Sequence, residues 1–232
     1  MLCYTCLQVL AKQPSEMESD RMIYAITAYM DSVGMISCRK ESAERIIALT
    51  RTPAGWAVFD DCAGREGISC DGLGCGITRK LSAQAVRITR TKDSICVHLY
   101  TGGIKKACFK KSADSAAPLA FCQWLCGKSR AARWYASLAP YCSEQQLKQL
   151  FSRDIQSPDD CLVKLKEILK LDETANYGFA SLDDSSKKDI IYLYFMPSNV
   201  VKQSWSLKRT MPMRAGMVSG FSLFRHKKTC KK

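Results

Sequence analysis

The pattern of apolar and polar residues is clearest between residues 85 and 110. Apolar side chains alternate with polar ones there, at Val86, Ile88, Ile95, Val97 and Leu99. A period of two predicts half-buried strands. A Lys92-Asp93 turn separates the first two runs. Gly102 and Gly103 lead into a third run over 104–109, because paired glycines allow the positive φ angles of a tight hairpin. We therefore expect a three-stranded antiparallel meander.

Helical spacing is strongest after Ser157. Ser157 is a suitable N-cap, Pro158 suits the first helical position, and two aspartates follow in the first turn. The apolar positions that follow at helical spacing are Leu162, Leu165, Ile168 and Leu169. Weaker patterns predict further helices over residues 18–30, 112–126, 130–138 and 143–151.

The remaining segments complete an α+β pattern. Residues 41–50 fit either helix or strand, 56–59 and 189–196 read as strands, and 172–188 reads as a polar loop. The glycines between residues 64 and 76 predict a loop. We therefore expect an α+β fold, with the antiparallel β-meander packed against several amphipathic helices and a basic C-terminal tail.

Three regions follow from this order of elements. Residues 1–127 form an α+β region that holds the glycine- and cysteine-rich loop and the meander. Residues 128–202 form a helical region with a final strand. Residues 203–232 form the basic tail, whose order the sequence leaves open.

Composition places the chain among globular proteins. It has 232 residues, of which 47% are hydrophobic and 25% charged. Apolar stretches such as Ile190–Met196 are far shorter than the about 20 residues of a membrane-spanning helix, so no transmembrane segment is expected. The N-terminus lacks the pattern of a secretory signal, and the 13 cysteines have irregular spacing. We therefore expect reduced thiols and an intracellular protein of the cytoplasm or nucleus.

Positive charge is concentrated in two segments. The formal net charge is +13, yet residues 79–111 hold nine lysines and arginines against one acid, and residues 190–232 hold nine against none. Such clusters attract polyanions through counterion release. The candidate anion-binding residues are Arg79, Lys80, Arg87, Arg90, Lys105, Lys106, Lys110, Lys111, Arg130, Arg133, Lys202, Lys208, Arg209, Arg214, Arg225, Lys227 and Lys228.

This distribution favours a non-enzymatic intracellular binding protein that engages a polyanion, nucleic acid first, through a basic surface. Two alternatives stay open. One is a protein–protein interaction adaptor. The other is a peripheral membrane protein held by basic residues, with acylation of Cys3 or Cys6 as a further anchor. The segment around Trp134 and Tyr135 interleaves cations with aromatic rings that could stack on bases, although a place in the core is the favoured interpretation.

Candidate metal ligands are weak. Cys3 and Cys6 form a lone Cys-x-x-Cys pair, and Cys122 with Cys126 would complete a zinc site if the two segments met. A structural zinc ion is compatible with this sequence but not favoured, and other cofactors are unknown.

Catalytic residues are not assigned, and the sequence leans against an enzyme. With two histidines, His98 and His226, a Ser–His or Cys–His site is disfavoured. His98 and Cys96 share one face of the predicted strand and could touch one ligand, but a half-exposed strand histidine is the favoured interpretation. Asp60 and Asp61 follow a strand, where metal-binding carboxylates often lie, without the further acidic motifs such a site needs.

Overall fold

The computed structural model describes residues 4–12, 17–63, 70–112, 131–151, 155, 157–182 and 189–199. They form an α+β fold, in which helices cover both faces of an eight-stranded antiparallel sheet. The strands are β1 Tyr4–Leu10, β2 Met35–Ser37, β3 Arg45–Thr52, β4 Gly55–Asp60, β5 Gln84–Arg90, β6 Ser94–Thr101, β7 Ile104–Ser112 and β8 Ile190–Pro197. The helices are α1 Ser19–Ser32, α2 Cys70–Leu81, α3 131–138, α4 Glu144–Leu150 and α5 Pro158–Leu169, with 3-10 turns at Lys40–Ser42, Glu173–Asn176 and Phe179–Ser181.

The strand order is β2-β8-β3-β4-β1-β5-β6-β7. The predicted meander is confirmed as β5, β6 and β7, and the ambiguous segment at 41–50 belongs to β3. Strand β1 is central: Leu7 pairs with Val58 of β4 and with Arg87 of β5. Its residues are buried on both faces from Cys6 onward, so it has no alternating pattern, and the sequence signalled only a short apolar stretch.

Helices α1 and α2 cover one face of the sheet, which we call the α1/α2 face. The predicted apolar stripe of α1 is confirmed, with Met22, Ile26 and Met30 fully buried against strand residues such as Leu49 and Val58. Period-two alternation places every second residue of each strand on this face. It is therefore the face that also receives Arg45, Asp60, Arg87 and His98.

The prediction of a glycine loop up to residue 76 is wrong, because residues 70–81 form α2. A Cβ atom on Gly76 would lie 2.7 Å from Cδ2 of Tyr29 in α1, and one on Gly74 would lie 3.0 Å from Cδ2 of Tyr100 in β6. The glycines therefore let α2 approach α1 and the sheet closely. Tertiary packing overrides their poor intrinsic helix propensity.

Helices α3, α4 and α5 cover the opposite face. Trp134 of α3 is 1% exposed and packs against Phe109 and Phe151, so its predicted place in the core is confirmed. Helix α5 begins with a capping box between Ser157 and Asp160, and the preferred proline stands in its first turn.

Two predicted elements lie largely or wholly outside the described residues. Ser112, where the helix predicted over 112–126 would begin, is the last residue of β7, and the rest of that segment is not described. The basic tail over 203–232 is likewise outside them. The division near residue 127 stays a prediction, and strands from both sides of it share one sheet. Among the described helices, none has both the length and the apolar character needed to cross a membrane.

Candidate nucleic-acid interface

The sheet ends at β7, and this edge strand carries exposed lysines. Lys105, Lys106 and Lys110 are exposed, and we call them the β7 lysine strip. Lys105 pairs with Tyr100 and Lys110 with Cys96, which places both lysines on the α1/α2 face. The pairing register shifts between Leu99 and Tyr100, so Lys106 is an extra residue in β7 with no directly paired residue in β6. The three cations therefore follow one strand at the margin of the sheet.

Arg79 lies at the same end of the molecule. It occupies the last turn of α2, and its guanidinium donates to the carbonyl oxygen of Gly103 at 3.4 Å. Gly103 belongs to the turn that connects β6 to β7 and precedes Lys105 by two residues. Arg79 therefore extends the positive surface of the β7 lysine strip onto α2.

The other described candidates lie elsewhere. Arg90 and Lys111 are on the opposite face, where Arg90 pairs with Asp159 of α5 and Lys111 lies opposite Ile95. The Lys80 ammonium lies 5.8 Å from the ring centroid of Tyr24, and Arg133 is exposed on α3. The candidates outside the described residues are Arg130, Lys202, Lys208, Arg209, Arg214, Arg225, Lys227 and Lys228.

Arg87 is buried and takes part in a cluster that the sequence did not reveal. The carboxylate of Asp71 lies 2.9 Å from the Arg87 guanidinium and 2.6 Å from the Lys105 ammonium, and it accepts a 2.5 Å hydrogen bond from the Tyr100 hydroxyl. The Nδ1 atom of His98 lies 3.5 Å from the same carboxylate and also contacts Arg87. We call these five residues the Asp71 network. No sequence signal pointed to Asp71, because α2 itself was not predicted.

The charges of the Asp71 network leave it positive. Burial by itself would raise the pKa of Asp71, but the hydrogen bonds from Lys105 and Tyr100 and the nearby Arg87 outweigh it and lower this pKa to about 2. Burial and Arg87 lower the pKa of His98, which favours its neutral form. One carboxylate therefore faces two permanent cations, Arg87 and Lys105.

Arg87 also keeps one donor without a partner in the described part of the chain. Its Nε atom is buried and makes no hydrogen bond there. Arg87 also lines a small cavity, together with Thr5, Asp60 and Leu73 among others. One terminal nitrogen of the Arg87 guanidinium pairs with Asp71, and the other contacts Nδ1 of His98.

A second buried arginine on the α1/α2 face has a different surrounding. Arg45 donates to both carboxylate oxygens of Asp60, at 3.1 and 2.6 Å, and each side chain is 7% exposed. Asp60 also accepts a hydrogen bond from the backbone of Cys62. Each of Asp60, Asp61 and Cys62 offers one potential metal-ligand atom, and among the described residues these three atoms lie within 4.8 Å of one another. Because Arg45 occupies both oxygens of Asp60, the pair holds the fold together and is not available as a ligand.

Of the four cysteines proposed as weak zinc ligands, Cys6 belongs to the part of the chain that the structure describes. Cys3, Cys122 and Cys126 lie outside the described residues. Cys6 is 1% exposed, accepts a hydrogen bond from Gln8, and lies in a buried cluster with Phe59 and Leu182. Burial raises the pKa of its thiol strongly, as expected for a core cysteine.

His98 and two cysteines on the α1/α2 face are neighbours. The Cys96 Sγ and His98 Nε2 atoms are 3.3 Å apart, and Cys108 of β7 pairs with His98. His98 is half-buried, as predicted, and its side chain joins Cys96 to the Asp71 network.

Comparison with known proteins gives no relative. No family model matches the chain, and neither the curated proteins nor the solved structures contain a match.

Proposed function

We propose that this chain is a non-enzymatic binding protein that engages nucleic acid through the β7 lysine strip and Arg79. The observation that carries the proposal is the line of exposed lysines on an edge strand. Lys105 has Asp71 as a close acidic partner, while Lys106 and Lys110 have no acid within salt-bridge distance among the described residues.

The dimensions of the strip suit a polyanion with regular charges. A strand rises about 3.3 Å per residue, so Lys105 and Lys110 are about 16 Å apart along β7. One strand of a DNA duplex carries about five phosphates over that length. Three lysines at this spacing can contact phosphates without reading base sequence, so we expect binding with little sequence preference.

Nucleic acid fits this surface better than a membrane does. Peripheral membrane proteins combine cations with a continuous apolar face that inserts between lipids. In the described part of the chain, the exposed large apolar residues do not form one face. Tyr24 lies in α1, Val33 follows the end of α1, Ile104 begins β7, and Val163 lies in α5. The basic tail, by its charge, would add further phosphate contacts to those of the strip.

The test is the salt dependence of binding to a labelled DNA duplex, measured by fluorescence anisotropy. The strip variant replaces Lys105, Lys106 and Lys110 together by glutamine. The control variant replaces Lys40, Lys148 and Lys164 by glutamine, so that it loses the same amount of positive charge at positions away from β7. For the strip variant we expect the slope of log K against log salt to fall by about 2–3. The control variant should bind within a few-fold of wild type with a slope reduced by less than about 1.

Equal slopes for the two variants would overturn the assignment to β7. A co-sedimentation arm with vesicles of neutral lipid containing one-third phosphatidylserine separates the membrane alternative. Sedimentation with these vesicles, combined with no duplex binding near 50 mM salt, would replace nucleic acid by a lipid surface.

A further inference from the structure

One end of the opposite face carries apolar side chains that lie outside the hydrophobic clusters of the described chain. They are Ile36 of β2, Ile46 of β3, and Tyr194 and Met196 of β8, and we call them the outer patch. Ile36 pairs with Met196 and Ile46 with Tyr194, so the four side chains are neighbours on one side of the sheet. Each of them is half-buried. This end of the sheet therefore has an apolar surface that the described helices leave without a second layer.

The rest of the opposite face has an apolar covering. Helices α3 to α5 pack over the meander, with Trp134 and Leu165 in the same cluster as Val97. Closer to the outer patch, Phe179 packs against the cluster that contains Phe59 of β4. Because a sheet buries its apolar face against another element, we expect a further apolar segment on the outer patch.

The chain leaves the sheet beside the outer patch. Met196 is the penultimate residue of β8, and Ser198 donates its backbone N–H to the carbonyl oxygen of Gly34 at 2.8 Å, next to β2. Residues 200–232 follow and lie outside the described residues. Neighbouring strands are about 4.8 Å apart, so residues that come soon after 199 can reach β2, β8 and β3. We propose that residues 200–211 of this chain dock on the outer patch.

The composition of residues 200–211 suits an apolar surface. The segment interleaves cations with large apolar side chains, at Val200, Val201, Trp205, Leu207 and Met211. Attraction of a polyanion by counterion release requires the cations alone, so it does not account for these apolar residues. Removing them from water is the main favourable term when one segment packs on another. Docking on the outer patch therefore gives these side chains a role that charge does not.

The charges around the outer patch suit a cationic segment better than the β7 edge of the sheet does. Burial and, after it, the nearby Glu41 raise the pKa of Tyr194, and Glu44 donates its backbone N–H to a carbonyl oxygen of β8 at 3.0 Å. Arg39 and Lys40 are exposed in the same stretch, so this margin is balanced in charge. Residues 200–211 contain no acid, and their cations are Lys202, Lys208 and Arg209. Like charges would repel these cations at the β7 lysine strip, whereas acids lie within their reach at the outer patch.

The first test is amide hydrogen exchange of the full-length chain, followed by mass spectrometry. The patch variant replaces Ile36 and Met196 by lysine. The control variant makes the same change at Tyr24 and Val163, which are 64% and 66% exposed at other places. We expect slow exchange of the amides of residues 200–211 in the wild type and the control, and exchange at least about tenfold faster in the patch variant. Equal exchange rates in the wild type and the patch variant would overturn the docking.

A second measurement leaves the sheet unaltered, so it stays decisive if the patch variant does not fold. Trp205→Ser with Leu207→Ser removes apolar groups from the docking segment, and Phe221→Ser with Phe224→Ser is the matched control later in the tail. Oxidation of Met196 by hydroxyl radicals, quantified by mass spectrometry, should become at least about threefold faster in the first double variant and stay unchanged in the second. An unchanged rate in the first double variant would contradict the proposal, as would an increase in the second alone.

Sedimentation velocity distinguishes docking of the same chain from docking of a second copy. We expect the patch variant and the wild type to have the same oligomeric state. A wild-type dimer that the patch variant converts to a monomer would replace the proposal by self-association through the outer patch. The proposal does not depend on nucleic-acid binding, because none of these variants alters the β7 lysine strip. A failure to bind the DNA duplex would leave the expected results at the outer patch as they are.

Discussion

Two arginine–aspartate pairs lie on the same face of the sheet and have different surroundings. Arg45 and Asp60 are buried together, and the arginine binds both oxygens of one carboxylate. In the Asp71 network, one carboxylate, 31% exposed, is shared by Arg87, Lys105 and Tyr100. The first pair is matched in charge and closed to solvent, whereas the second group keeps an excess of positive charge at the margin of the sheet.

An ion pair has a different role in each of these two places. A buried pair contributes little net stability over an apolar pair, but either partner alone would be costly, so it fixes which strands meet. A shared, partly exposed carboxylate costs little to loosen and leaves cations available to a ligand. We therefore assign Arg45 and Asp60 to the fold, and the Asp71 network belongs to the surface that we propose for binding.

The strongest test of this comparison is Arg45→Ala. It leaves the Asp60 carboxylate buried without its cation, and we expect the free energy of unfolding to fall by about 3–5 kcal/mol. Urea denaturation followed by circular dichroism measures the loss. As a control, Arg45→Met combined with Asp60→Leu removes both charges and should recover most of it. A loss below about 1 kcal/mol in the single variant would show that Asp60 is solvated, contrary to the closed pair.

A smaller effect is expected from Gly76→Ala, which forces α2 away from α1. The new Cβ would meet Tyr29 at 2.7 Å, and such overpacking typically costs about 1–3 kcal/mol even though alanine is the better helix former. Urea denaturation measures the change, and Tyr29→Ala in the same chain should relieve it. Because α2 carries Asp71, whose carboxylate raises the pKa of His98, moving α2 away should also lower that pKa further, which NMR can observe. Increased stability would contradict the close packing of these helices.

The dependence of the free energy of unfolding on pH, measured at acid pH, tests the Asp71 network directly. The folded-state pKa of Asp71, about 2, lies below its ordinary value of 3.8, so its contribution is complete above about pH 4 and is lost as the pH falls towards 2. Allowing for its partial exposure, we expect about 1–2 kcal/mol. Asp71→Asn should flatten this part of the pH profile and, by removing a negative charge, strengthen duplex binding a few-fold. Asp20→Asn, on an exposed carboxylate of α1, serves as the control. Weaker duplex binding by folded Asp71→Asn would place the ligand away from the strip.

A smaller change in stability should come from Lys105→Gln. The Lys105 side chain is 41% exposed. Its ion pair with Asp71 therefore contributes at most about 1 kcal/mol to the free energy of unfolding. Its effect on binding should be clearer, with a salt slope lower by about 0.9 for a duplex. Lys106→Gln, which has no ion pair in the described residues, should lower the slope equally without any loss of stability. A larger loss of stability in Lys106→Gln than in Lys105→Gln would reverse these assignments.

Elements that obey one clear period could be predicted from the sequence. The meander and α5 have alternation or helical spacing together with turn or cap residues, and their positions are confirmed. Strand β1 could not be recognised because both its faces are buried. Helix α2 was mistaken for a loop because its glycines serve contacts with Tyr29 and Tyr100 that appear only after folding.

The candidate site was predictable only in part. The lysines of β7 followed from charge and alternation, but their grouping with Asp71 depends on where α2 packs. Arg87 appeared in the sequence as one more basic side chain on the polar face of the meander. In the structure it is buried, because Asp71 provides the compensating charge that the sequence pattern did not connect to it.

The position of β8 has a consequence for how the chain is made. Strand β8 lies between β2 and β3, and its first residue, Ile190, pairs with Thr50. The Thr50 hydroxyl also donates to the carbonyl oxygen of Asp189, which is 139 residues later in the sequence. At about 5–20 residues per second, a ribosome needs roughly 7–28 s to synthesise that distance. During this interval β3 has an unpaired edge, which is a template for association with other chains. Strands β2 and β8, two of the eight, therefore join the sheet only after the chain has been made as far as residue 197. We expect folding of this sheet to be slow and sensitive to the concentration of nascent chains.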